Sequence, residues 1–276
     1  MLVRVDAARP RPLVSLPGPG YLRELWEWRV LFASFLRRDL STRYGRNGVG
    51  LLWVIAQPLS AVLVLGLIFG RITRIMPDAG SYRIFILTGI TLWTFLRGAV
   101  TAGAGSLSSQ RQLITRVYFP RTLLPLAAVA GRVCDLALGI AVVLVVLAAS
   151  GMWPPAGAWA IVPVLAVTLV LVTGLALASA ALNVRFRALG STLPAVLQLW
   201  MLLSPVIYPA SMVPTRWRGG YALNPATGIL EAFRAALLGH AVDWGALGVS
   251  AAGSVALLVV GFSVFRRMED SFADSL

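Results

Sequence analysis

Six stretches of this chain are long, apolar and nearly free of charge, and that pattern constrains its fold more than any other feature. Residues 48–70 carry no charge and have the length of one bilayer crossing, which takes roughly 20 apolar residues. Residues 84–105 are apolar apart from Arg97, and residues 122–150 apart from Arg132 and Asp135. The stretch 151–184 is charge-free, but Pro154-Pro155 moves the start of its span to Ala158, giving 158–182. Residues 188–215 are charge-free and interrupted by Pro205 and Pro209, which places a span at 189–209, and the last span, 244–265, stops at Arg266-Arg267. Hydrophobic residues make up 58% of the chain, charged ones 13%, and the mean hydropathy is +0.81. A soluble domain carries about 25% charged residues, so a soluble globular enzyme is excluded as the default. The predicted fold class is an all-α polytopic membrane protein with six transmembrane helices, its membrane domain covering 48–268.

The cations sharpen this. All 24 Lys+Arg residues are arginine, and the net charge is +13. A P-loop needs a lysine for the phosphates, so a chain without lysine has no Walker A site. One histidine, His240, excludes an H-E-x-x-H zinc site, and one cysteine, Cys134, excludes an internal disulfide. With a cytoplasmic N-terminus, sixteen arginines fall inside: nine before residue 48, then Arg111, Arg116, Arg121, Arg185, Arg187, Arg266 and Arg267. Six fall outside: Arg71, Arg74, Arg83, Arg216, Arg218 and Arg234. The positive-inside rule therefore puts both termini in the cytoplasm. Residues 1–20 hold Arg4, Arg9, Arg11 and four prolines with no apolar core, a disordered tail rather than a signal peptide. Residues 269–276 are expected to form a second cytoplasmic tail.

Two apolar segments do not fit a crossing. In 21–46, Leu22, Leu25, Trp28, Phe32, Phe35 and Leu36 recur at helical steps, with Arg23, Glu27, Arg37 and Arg38 between them. That predicts an amphipathic helix in the cytoplasmic interface, or one packed flat on a partner protein. Residues 204–238 contain Pro205, Pro209, Pro214 and Pro225, and an apolar stretch too short to cross. They read as a re-entrant pair of short helices on the external side, with a plain external loop as the alternative. No internal repeat links the two halves, unlike inverted-repeat carriers.

Candidate chemistry is sparse. The 11 acidic residues are scattered, without the carboxylate cluster that holds a metal and a sugar nucleotide. Asp135 follows Arg132 by three residues on one helix face, and Glu231 and Arg234 repeat the spacing. A local ion pair is the plainer reading of both. Arg97 has no local carboxylate, so it pairs across helices, snorkels or faces water. Trp93, Tyr118, Phe119, Trp153, Trp159 and Trp244 lie near span ends, where an interfacial belt explains them. Trp53, Trp200 and Tyr208 lie inside spans near polar or proline positions, where flat rings suit a sliding sugar chain. The loop Ser106–Arg121 is basic and free of carboxylates: a solvated loop or a docking element.

Read together, several motifs carry a resemblance. They are Arg38-Asp39-Leu40-x-x-Arg43-Tyr44 with Gly50, Trp53 and Gln57-Pro58, and Leu113-Ile114-x-Arg116-Val117-Tyr118-Phe119-Pro120-Arg121 with Leu124-Pro125. Further on come Leu182-Asn183-Val184-Arg185-Phe186-Arg187, Ser204-Pro205-Val206-Ile207-Tyr208-Pro209, Leu223-Asn224-Pro225 and Glu231-x-Phe233-Arg234. This ordered set resembles the ABC-2 type permeases that export polysaccharides and polyol phosphates, O-antigen and teichoic acid among them. The resemblance runs over residues 21–274. It implies a homodimer in the bacterial cytoplasmic (inner) membrane, joined by two copies of a cytoplasmic ABC ATPase that binds the ATP and Mg. It implies that Gly105, Ser106, Leu107, Ser108, Ser109, Gln110, Arg111, Gln112 and Leu113 form a short helix that couples to that ATPase. It implies gate helices at Ser204, Pro205, Tyr208, Pro209, Asn224, Pro225, Glu231 and Arg234. Its substrate class is a glycan on undecaprenyl pyrophosphate. Arg37, Arg38, Arg43 and Arg46 would then meet the pyrophosphate at the entrance, and Trp53, Trp93, Arg97, Tyr118, Arg132, Trp200 and Tyr208 would line the path.

The expected function is the channel-forming, non-enzymatic subunit of an ATP-driven exporter of O-antigen, with teichoic acid, galactan, capsule, a drug or a small lipid as alternative cargo. A membrane glycan polymerase would need external carboxylates or histidine, and only Asp78, His240 and Asp243 qualify. An ion-coupled carrier would depend on Asp135 and need no ATPase. The chain itself calls for no cofactor, no metal and no nucleic acid.

Overall fold

The computed structural model describes residues 23, 25–44, 50, 52, 54–57, 59–60, 63–64, 79–117, 119–151, 156–186, 188–269 and 272. The tail 1–20, most of the span expected at 48–70, and Arg46, Trp53 and Tyr118 lie outside these. Among the described residues there is no strand, and four helices are long and apolar enough to cross a membrane.

The first complete helix, α1, is Arg29–Tyr44. It is followed by α2, Ala79–Ser109, a short α3, Arg111–Arg116, and α4, Leu123–Ala149. A 3-10 turn at Ala156–Ala160 leads into α5, Ile161–Arg185. Then come α6, Ala188–Leu202, a 3-10 turn at Ala210–Met212, α7, Thr215–Ala222, α8, Pro225–Leu238, and α9, Trp244–Glu269. The spans expected at 84–105, 122–150, 158–182 and 244–265 thus fall on α2, α4, α5 and α9. The span expected at 189–209 is a 15-residue helix, about 22 Å at 1.5 Å per residue, ended by turns at 203–206 around Pro205.

α2 is the central element. Ile86, Leu87, Leu92, Ala99 and Leu107 along it are at most 1% exposed, because α4, α5, α6 and α8 pack around it. α5 also packs along α9, and here small residues set the distance. A side chain on Gly174 would sit 2.6 Å from the Leu258 Cα, and one on Gly261 would collide with the Gly174 carbonyl. Close backbone approach is how helices gain packing energy in lipid, where the hydrophobic effect does not draw them together. Large apolar side chains left exposed on α6 and α9, such as Val196, Leu199, Val255 and Val260, suit lipid or another protein surface.

The bundle has two distinct ends. At one lie the end of α2, α3, the start of α4 and the end of α9, sharing an apolar cluster with Leu25, Trp28, Phe32 and Phe35 of the N-terminal segment. At the other lie the start of α2, the end of α6, α7 and α8. Gly89 and Ser109, one near each end, are about 30 Å apart along α2.

Candidate functional site

α1 does not lie flat across the bundle end. Its contacts climb α4: the Phe35 ring meets Phe119 at 5.8 Å, Asp39 crowds Gly131, and Tyr44 reaches Asp135. The physical reason is charge. Arg132 and Asp135 sit on a helix of otherwise apolar residues, and the end of α1 brings them partners. Asp135 Oδ2 accepts Arg43 Nη1 at 3.0 Å and Arg132 Nη1 at 3.2 Å, while Tyr44 donates to Oδ1. Arg43 Nη2 also faces Asp39 Oδ2 at 3.2 Å. Burial, with the hydrogen bond to Asp135, pushes the Tyr44 phenol above its ordinary range, so it stays a donor. The expected Arg132–Asp135 pair is present, but as part of a network. Tyr44 and Asp39 were missed as partners, although Asp39 stands four residues before Arg43, a readable helical pair.

Beside this network is a cavity of about 480 Å³ between α1, the end of α2 and the start of α4. Arg38, Arg43 and Arg132 line it with Thr42, Thr101, Ser109 and Gln110. Arg38 Nη1 donates to Gln110 Oε1 at 3.1 Å and is otherwise exposed. Three guanidinium groups against two carboxylates leave spare N–H donors, among them the buried Arg132 Nε. Such a pocket suits a compact anion. No group of three or more His, Cys, Asp or Glu among the described residues is arranged to hold a metal.

The segment expected to couple to an ATPase divides in two. Gly105–Ser109 continues α2, with Gly105, Ser108 and Ser109 exposed and Ser106 and Leu107 buried. The chain then breaks at Gln110, and the separate short helix is α3, displaced toward Arg116 from the expected 105–113. Arg111 and Gln112 are exposed, and Leu113 is half-buried. Asn183, of the Leu182-Asn183-Val184 motif, ties this end together by donating to the Ala104 carbonyl at 2.9 Å.

At the other end the expected gate residues converge. Trp200 Nε1 donates to Asn224 Oδ1 at 3.0 Å, and Asn224 Nδ2 donates to Ser204 Oγ at 3.0 Å. Asn224 also caps α8 by accepting from Ala226 N, with Pro225 in the first turn, and Gly239 at φ 81° ends the helix. Trp93 meets Trp200 edge-on at 5.4 Å, and Tyr208 donates to the Leu202 carbonyl at 2.9 Å. Pro205 is buried and Pro209 half-buried. Two short helices, α7 and α8, occupy the region expected to be re-entrant; α7 is largely exposed and α8 largely buried.

Arg234 corrects the sequence reading. Among the described residues the ion pairs are Arg23–Glu27, Arg43 with Asp39 and Asp135, Arg132–Asp135 and Arg266–Glu269; Glu231–Arg234 is not one of them. Arg234 is 5% exposed and donates to the Val206 carbonyl at 2.8 Å and the Phe85 carbonyl at 3.3 Å, over the Phe85 ring at 3.7 Å. Packing carries its head inward toward α2, and only glycine at position 89 leaves it room. Arg97, between the two ends, reaches Gln198 of α6 at 3.4 Å, and Arg37 is exposed on α1.

Residues 30–238 match the model of the ABC-2 type transporter family. The O-antigen export system permease protein RfbA of Myxococcus xanthus is 32% identical, over 92% of this chain and 98% of its own. A protein of the same name from Klebsiella pneumoniae is 26% identical, over 93% and 96%. The polysialic acid transport protein KpsM of Escherichia coli is 23% identical, over 90% and 96%.

Proposed function

The chain belongs to the ABC-2 type transporter family, and from that premise we propose that it is the membrane subunit of an ATP-driven exporter of a lipid-linked polysaccharide such as O-antigen. The observation that carries this reading is similarity along nearly the whole chain to permeases named for O-antigen export. In this reading two copies enclose the path in the bacterial inner membrane, and two copies of a separate ATPase bind ATP and Mg.

The arginine-rich end faces the cytoplasm, with both termini on that side. The start of the N-terminal helical segment, where Trp26 and Val30 are exposed, rests at the headgroup level. The exposed residues of Gly105–Leu113 and α3 dock on the ATPase. The cavity under α1 receives the pyrophosphate of the carrier lipid, Arg38 and Arg132 supplying bidentate donors. α7 and α8 form the external gate, and Trp200 and Tyr208 meet the sugar chain. ATP binding shifts the balance between closed and open paths.

Deleting the gene for the ATPase partner tests the reading. Surface polysaccharide should disappear and lipid-linked glycan should accumulate inside; unchanged surface glycan refutes ATP-driven export. Arg38→Gln should weaken substrate-stimulated ATP hydrolysis. Arg38 is the sharper probe because Arg43 also holds Asp135. The likeness to a polysialic acid transport protein favours a capsule polysaccharide as the second reading, and the chemical class of the surface glycan lost decides between them.

A further inference from the structure

The end of α9 and Phe272 are built against the elbow where the chain breaks at Gln110 and turns into α3. α9 finishes at Glu269, whose side chain is 8% exposed. Its Oε2 takes the Arg266 guanidinium at 2.8 Å, and its Oε1 accepts the Arg121 backbone N–H at 3.3 Å. The Arg121 side chain donates to the Glu269 carbonyl and stands 6.0 Å from the ring centre of Phe272. Phe272 is fully buried and meets Phe265 edge-on at 5.2 Å. Both rings share an apolar cluster with Leu107 in the last turn of α2, Ile114 in α3 and Phe119 three residues beyond it.

A solvated tail after α9 would need none of these contacts. Burying a carboxylate is costly unless donors surround it, and Glu269 is surrounded by donors from Arg121 and Arg266. The carboxylate-free loop Ser106–Arg121 thus obtains its acidic partner from a residue 148 positions away. α9 then runs about 39 Å, at 1.5 Å per residue, to the opposite end of the bundle. There it lies close on α8: a side chain on Gly228 would collide with the Ala246 backbone carbonyl. α8 carries Arg234, which grips the Val206 carbonyl.

We propose that Arg121, Glu269 and Phe272 form a positioning strut tying the α3 elbow to α9, so that a displacement of the elbow reaches α8 and the turn at Ser204–Tyr208. The inference rests on the exporter reading, in which α3 meets the ATPase. α2 and α4 hold the elbow through the chain itself; the strut adds a non-covalent link to α9, which packs on α8 at Pro225 and Gly228.

The test uses the full-length chain purified with its ATPase partner and reconstituted with lipid-linked glycan, at matched amounts of assembled complex. Glu269→Ala and Phe272→Ala should leave ATP hydrolysis nearly unchanged but lower the glycan moved per ATP about tenfold, within the usual range of coupling between sites. Glu269→Gln should recover most of that ratio, because its amide oxygen still accepts the Arg121 N–H. Arg121→Gln should show the same loss and serves where an alanine form fails to assemble. An unchanged ratio overturns the strut, as does a Glu269→Gln form no better than Glu269→Ala. Absence of ATP-dependent glycan movement by the unsubstituted complex overturns the exporter reading and the strut with it, a result no substituted form can produce.

Discussion

Asp135 balances two guanidinium groups and a phenol at a point where α4 would otherwise be apolar. Asp135→Asn leaves Arg43 and Arg132 with only Asp39 to offset them. Breaking one side of a buried pair costs about 3–5 kcal/mol, so the purified protein should unfold at clearly lower temperature and α1 should become open to protease. A thermal midpoint equal to that of the unsubstituted protein would show that the network contributes nothing. Gly89→Ala acts through Arg234: the new methyl would collide with the guanidinium and stand 2.6 Å from the Val206 carbonyl. Export should fall while protein level holds, and a transport assay at matched expression reads it. Spacing along one helix made the Arg132–Asp135 pair legible. The same rule suggested Glu231–Arg234, which the fold does not form, because Arg234 turns instead to carbonyls of segments 149 and 28 residues away.

Whole helices were more legible than contacts, since hydropathy is a property of a segment and needs no neighbour. α2, α4, α5 and α9 lie where apolar, nearly charge-free stretches placed them, and Asn224-Pro225 announces the start of α8. The course of α1 along α4 was not legible, because its partners are single charges far away in sequence. The α5–α9 crossing is likewise made by two glycines in sequences rich in small residues. Gly261→Leu would drive four carbons into the Gly174 backbone and should cost roughly 1–3 kcal/mol or more by overpacking. Lower yield of monodisperse protein in detergent would show it. On the exporter reading, cysteines at the exposed Ser108 and Gln112 should cross-link to the ATPase, whereas one at the buried Leu107 should not. Cross-linking from Leu107 alone would misplace the docking face.

As a whole, the chain is a bundle with different chemistry at its two ends. Arginines, the anion-sized cavity and the α3 elbow gather at one, and an aromatic and amide network gathers at the other. α2 and α9 connect them. On the proposed reading, in which two copies share one path, native mass measurement of the assembled complex should give two of these chains with two ATPase chains. A complex holding a single copy would require the path to lie within one bundle, whose centre is filled by α2.

The absence of lysine and the run of charge-free segments by themselves determined a helical membrane protein without its own P-loop, because those are facts of composition and length. Order of motifs added the family. Only the tertiary structure decided which charges meet: that Arg43 and Tyr44 serve Asp135, that Arg234 serves Val206, and that Glu269 serves Arg121. The reason is that a buried charge must find a partner wherever packing brings one within about 3 Å, and that distance is set by the fold rather than by spacing along the chain.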